Sequence, residues 1–162
     1  MVEVLLGLGS NIDREKNLRS ALVALRKLFG VVDVSPVYES NAVGFHGDNF
    51  YNLVVAINTD LAVGKLSLLL KEIEDNNGRE RLAPKFSART LDIDILTHGT
   101  QLGVIDGVEL PRDEILKHSF VLLPMADLRP DSYYPGSTHT YQSLWEGFDD
   151  NLRSLWQVNF KE

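Results

Sequence analysis

Six apolar runs switch between two periodicities in a fixed order, and that order restricts the chain to few folds. Val2 to Leu8 is a strand-like run that breaks at Gly7, Gly9, Ser10 and Asn11. Asn17 to Phe29 repeats Leu18, Ala21, Leu22, Leu25 and Leu28 at helical spacing, with Gly30 placed to end the helix. Val31 to Tyr38 alternates apolar and polar residues, although Pro36 favours a sheet edge or a bulge. Phe50 to Asn58 is the next strand, with Phe50, Asn52, Val54 and Ala56 on one face and Tyr51, Leu53, Val55 and Ile57 on the other. Ala62 to Asn76 carries a second helical stripe of Leu66, Leu69, Leu70 and Ile73, stopped by Asn76-Asn77-Gly78. The sixth run surrounds Asp92 and Asp94.

Strand, helix, strand, strand, helix, strand is the βαββαβ pattern of a ferredoxin-like α+β sandwich. The expected architecture is a mostly antiparallel sheet with helices over one face and C-terminal additions, leaving the other face or its rim for ligands. Past the sixth run, His98-Gly99-Thr100 leads into a short hairpin through Gly103 and Gly107. Leu110-Pro111-Arg112-Asp113 precedes a short helical stretch with Lys117 and His118. Phe120 to Asp127 reads as a further helix with Pro124 in its first turn or at a kink. The aromatic tail with Trp145 and Trp156 is expected to dock as helices.

The stretch from Glu74 to Asp94 joins the second helix to the last strand of the pattern. Its loop holds Arg79, Arg81, Lys85 and Arg89, four of the chain's 16 Lys and Arg residues. Alternation along the strand puts Asp92 and Asp94 on one face, with Cα atoms roughly 6.5–7 Å apart, and Leu91, Ile93 and Ile95 on the other. Clustered arginines beside paired carboxylates suit phosphoryl transfer: carboxylates hold Mg²⁺, and guanidinium groups neutralise phosphate oxygens. A solvated loop followed by an Asp-containing strand fits the same spacing. The first reading gains from electrostatics, since paired carboxylates in an apolar strand resist burial unless a cation compensates. Phe50 and Asn52 present a ring and an amide side by side, able to stack on and hydrogen-bond a flat heterocycle. A core Phe beside a surface Asn would read the same way.

The length of 162 residues fits one domain, 1–162, with a sizeable core. The net charge of −7 argues against general nucleic-acid binding, which calls for a basic stripe. There are no cysteines, hence neither disulfides nor thiolate metal sites. His46, His98, His118 and His139 lack the spacing of zinc ligands. The N-terminal run is too short for a signal peptide or membrane span, so a cytoplasmic protein is expected.

With these residues in hand, the chain resembles the 6-hydroxymethyl-7,8-dihydropterin pyrophosphokinases of folate biosynthesis. LGLGSN, the VYES…VG loop, FYNLVV, EIEDNNGRER and FSARTLDIDIL occur in that family's order, followed by LP, Phe120 and VLLP. The most specific element is RTLDIDIL with the upstream G-R-x-R. The resemblance implies transfer of the terminal diphosphate of ATP to the pterin's hydroxymethyl oxygen, with release of AMP. It implies two Mg²⁺ ions on Asp92 and Asp94, and phosphate-gripping loop residues Arg79 and Arg89. Arg81, Phe86, Lys71, Glu74, Ile95, Arg112, Lys117 and His118 would line the ATP side. The pterin would lie between Phe50 and Phe120, with Asn52 and the backbone near Ser40 and Val43 reading its edge. The partners are then small molecules, with neither nucleic acid nor membrane, and a monomer is expected.

Four positions depart from the commoner family pattern. Arg112 and Asp113 stand where a histidine and often a tyrosine are found, Phe86 replaces a tryptophan, and His118 replaces an arginine. Arg112 can contact phosphate but cannot titrate near neutral pH. Phe86 keeps an apolar lid without the indole N–H, and His118 would grip phosphate less firmly at higher pH, with Lys117 beside it. These changes leave room for a ligand-binding paralogue without turnover, while a ferredoxin-like nucleic-acid module would need a basic face with exposed aromatics.

Overall fold

The computed structural model describes residues 1–42, 47–78 and 90–162. Val43, Arg79, Arg81, Lys85, Phe86 and Arg89 lie outside the described residues. The elements run β1 (Val2–Ser10), α1 (Arg14–Phe29), β2 (Asp33–Val34), β3 (Val37–Ser40), β4 (Phe50–Thr59), α2 (Val63–Asn76) and β5 (Asp92–His98). A hairpin of β6 (Gly103–Ile105) and β7 (Val108–Leu110) follows, then α3 (Glu114–Lys117), α4 (Ser119–Leu128), α5 (Tyr141–Glu146) and β8 (Leu155–Val158).

The main sheet has the order β5-β1-β4-β3-β8, with β2 also on β4, and its pairings are antiparallel. The first four strands give the ferredoxin-like α+β arrangement that the periodicities predict. The strand expected over 31–38 is two pieces, because Pro36 lacks an N–H for the ladder; Ser35 fills the gap, accepting Val54 N–H at 2.9 Å through its Oγ.

Alternation sorts each strand onto two cores. Val4, Leu6, Leu8, Leu53, Val55, Ile57, Ile93 and Ile95 face the stripes of α1 and α2. Leu28, counted with the α1 stripe from its spacing, is exposed, and Phe29 packs on that core instead. Gly30 ends α1 at φ 78°, a region other residues avoid, with its N–H on Arg26 O at 2.9 Å.

The expectation of helices over one face needs correction. Leu5, Val54, Ala56 and Leu96 form a second core with Ile115, Val121, Leu122, Met125, Ala126 and Tyr141, so α3, α4 and α5 cover the other face. Helix α4 is apolar nearly all round and therefore buries more than one side. Pro124 lies past its first turn. Ligands are left the rim, where the sheet extends beyond α4.

The tail also differs from an all-helical docking. β8 pairs with β3 from Val37↔Val158 to Ser40↔Leu155, meeting backbone groups that β3 would otherwise leave at an edge. Arg26 then binds Glu162 at 2.5 Å, and Arg19 donates to Lys161 O at 2.6 Å, so two arginines of α1 hold the tail against it.

Leu22 is 1% exposed at the centre of the α1 core. Leu22→Ala should therefore lower unfolding free energy by about 2–5 kcal/mol in urea titrations followed by circular dichroism.

Candidate active site

β1 is the central strand of the site, paired on both sides. Gly9 faces Asp92 on β5 and Asn52 on β4, while Gly7 faces Asp94 and Val54. Directly paired residues share a sheet face. Asp92, Gly9 and Asn52 thus form a row across three strands, with carboxylate and amide about 10 Å apart at two strand spacings. Gly9 leaves the floor between them bare: a Cβ there would lie 3.5 Å from Asn52 Oδ1 and 3.7 Å from the Phe50 ring. Two glycines at alternate positions of an apolar strand are the sequence signal for such an approach, more than for the turn they resemble.

The amide is locked in orientation. Asn52 is buried and donates from Nδ2 to Ser40 Oγ at 2.8 Å and to Tyr38 O at 3.2 Å. Both donors are committed to β3, which leaves Oδ1 as the acceptor toward Gly9. Ser40, also buried, enters the site through this bond. Ser10 fastens the entry to β5, donating from Oγ to Thr90 O at 2.5 Å.

On β5 the expected alternation holds: Asp92 and Asp94 leave the core on one side while Leu91, Ile93 and Ile95 enter it. Ile95 therefore puts its side chain into the α1–α2 core. Burial holds the Asp94 carboxyl well above the usual carboxylate range, the charge of Asp92 raises it further, and Arg112 opposes both. Two carboxylates this close cannot both ionise cheaply without a compensating cation. A hard divalent ion with oxygen ligands fits that donor set. Among the described residues no cluster of three His, Cys, Asp or Glu side chains could hold a metal.

A bulge delivers Arg112. Leu6 pairs with Ile95 and Leu5 with Thr97, so Leu96 is an extra residue on β5, and its carbonyl accepts Arg112 N–H at 2.9 Å. The Arg112 side chain lies between Glu114, 3.3 Å away, and Asp94, 3.7 Å away. Burial disfavours its charge, but those two carboxylates outweigh it and raise its pKa. Glu114 was not among the residues singled out from sequence.

The remaining candidates divide. Glu74 is buried and accepts Ile93 N–H at 2.7 Å, tying the end of α2 to the aspartate strand. Lys71 is exposed on α2. Lys117 is exposed and pairs with Asp113 at 2.6 Å. His118 stacks on Phe120, with ring centroids 4.8 Å apart and planes inclined by 17°. Burial, opposed by Glu114 and helped by Lys117, holds the imidazole below its usual pKa. Phe120 opens α4, which packs over the β4 face that also bears Phe50 and Asn52. A separate cleft of about 960 Å³ lies on the α1 side, lined by Asp13, Arg14, Lys16, Glu39 and Tyr51. Arg14 is already used there, 3.3 Å from Glu39 and 3.8 Å from the Tyr51 ring centre.

The sequence pattern of 7,8-dihydro-6-hydroxymethylpterin-pyrophosphokinase (HPPK) matches residues 5–130, which include the row and its bulge. The chain belongs to the HPPK family. Membership makes it a diphosphokinase, a transferase of phosphorus-containing groups. It is 37% identical over 145 residues to 2-amino-4-hydroxy-6-hydroxymethyldihydropteridine pyrophosphokinase of Pseudomonas aeruginosa, covering 87% of this chain and 89% of that protein. The Aquifex aeolicus protein of the same name is 33% identical over 137 residues, 83% of this chain and 85% of the relative. The fold matches the Plasmodium falciparum HPPK-DHPS crystal structure with SDX-DHP at TM-score 0.69 and 15% identity, over 91% of this chain. This chain spans 43% of that longer one. No helix among the described residues is long and apolar enough to cross a membrane.

Two predictions come from this geometry. Gly9→Ala makes only ordinary contacts, so its melting temperature should match the wild type, while calorimetry should show binding to the row weakened about tenfold or more. A His118 held below its usual 6.5 gives up stability as pH falls below that value, because the unfolded chain takes up the proton first. His118→Phe should flatten the dependence of melting temperature on pH between 7 and 5.

Proposed function

We propose that this chain catalyses Mg²⁺-dependent transfer of the diphosphate of ATP to the hydroxymethyl oxygen of 6-hydroxymethyl-7,8-dihydropterin, releasing AMP. The observation that carries the reading is the row Asp92–Gly9–Asn52, which sets a carboxylate pair about two strand spacings from an acceptor amide over a bare floor. A reduced pterin carries amide and amino N–H groups on one edge, which Asn52 Oδ1 can accept. Phe50 lies against the same floor, and Phe120 supplies the second ring of the sandwich. Ser40 keeps the amide from turning its donors to the ligand, and the backbone near Ser40 and Val43 reads the rest of the edge.

Asp92 and Asp94 would hold the ions, which supply charge neutralisation on the phosphates and alignment for in-line attack. The pterin oxygen forms a bond to the β-phosphorus, the bond from that phosphorus to the α-phosphate oxygen breaks, and the hydroxyl proton leaves to solvent or a nearby base. Arg79 and Arg89 grip the phosphates, with Arg81, Phe86, Lys71, Glu74, Arg112, Lys117 and His118 on the nucleotide side; the Ile95 side chain, in the core, is not among them. The row lies within one sheet and needs no residue of a second copy, which supports action as a monomer; small molecules rather than nucleic acid or a membrane, in the cytoplasm, complete the proposal.

The test is a product assay with the dihydropterin, ATP and Mg²⁺. AMP that depends on the pterin is expected; ADP instead would mean a single-phosphoryl kinase, and pterin binding without product a non-catalytic paralogue. Asp92→Ala and Asp94→Ala should each lose turnover by at least about a hundredfold while keeping the wild-type circular dichroism spectrum. A near wild-type rate in either would overturn its assignment.

A further inference from the structure

We propose that Arg112 is a tethered counter-cation for Asp94, standing where a divalent ion's charge belongs and competing with that ion for the carboxylate pair. This rests on the reading of Asp92 and Asp94 as cation ligands. The backbone of Arg112 is fixed to the bulge, through Leu96 O at 2.9 Å, so the side chain cannot leave the neighbourhood of the strand. Its Nη2 lies 3.7 Å from Asp94 Oδ1, within ion-pair range but beyond a hydrogen bond. An incoming ion therefore displaces a charge without breaking a hydrogen bond to Asp94. Glu114, 3.3 Å from the same Nη2, gives the guanidinium a second carboxylate to stay with. Meanwhile Nε is buried with no hydrogen-bond partner, so the arm's present position leaves one donor unmet. About a third of the side chain is exposed, which gives it room to turn. Together these features describe an arm that compensates Asp94 in the ion-free protein and is released toward an anion when the ion arrives.

The readout is Mn²⁺ binding to the protein without nucleotide or pterin, from the electron paramagnetic resonance signal of free Mn²⁺. Arg112→Met removes the charge at similar length and should bind Mn²⁺ about two- to fivefold more tightly than the wild type. Arg112→Lys keeps the charge and should bind as the wild type does. Lys27→Met, a charge removed from the exposed side of α1, should change nothing and controls for net charge. Arg112→Gln, which retains a polar end group in the buried setting, repeats the measurement should the Met variant fail to fold. Neutral variants that bind as the wild type or more weakly overturn the proposal while leaving the carboxylates as ligands. Loss of Mn²⁺ binding in every protein, wild type included, overturns both, and the AMP assay separately decides the pterin reaction.

Discussion

The repulsion between Asp92 and Asp94 is the constraint around which the rest of this structure is arranged. Two carboxylates on adjacent outward positions of one strand are costly wherever water is thin, and the surroundings answer that cost piece by piece. Glycines stand opposite both aspartates, so no β1 side chain crowds them. A bulge brings a guanidinium to one of them. Glu74, buried at the end of α2, fixes the backbone between them through Ile93 N–H. The strand is thus held firmly in place, as the proposed cation site requires.

The amide side of the row is organised by different physics. There is no net charge to balance, only the direction of one dipole. Asn52 would offer donors and an acceptor equally if it were free to flip, and its two bonds to β3 remove that freedom. In the proposed function, selectivity for a ligand edge would come from a hydroxyl that need not touch the ligand. One end of the row carries charge and the other a fixed dipole, and Gly9 separates them by a length set by strand spacing alone.

What could be read from sequence follows the range of each interaction. The faces of β4 and β5 were legible because alternation is a property of the strand itself, and so Asp92, Asp94, Phe50 and Asn52 were placed before any partner strand was known. The bulge at Leu96 was not, since an extra residue exists only relative to β1, about ninety positions away. Helix α4 was legible as a helix but not as the cover of a second face, because SFVLLPMADL has too little polar residue to show a stripe. The bond from Asn52 to Ser40 depends on the pairing of β3 with β4 and is silent in either segment alone. Residues in 79–89, read from sequence as the phosphate grip, lie outside the described residues.

β8 has a consequence beyond closing the core. With it in place, the β3 end of the sheet passes from a strand that carries Ser40 to one that holds none of the candidate residues. Stray strand pairing at this end, the common hazard of a sheet margin, would then build on Leu155–Val158 and leave the ladder beneath Asn52 unchanged. The tail acts as a spacer between the crowded outside of the molecule and the buried pair Asn52 and Ser40.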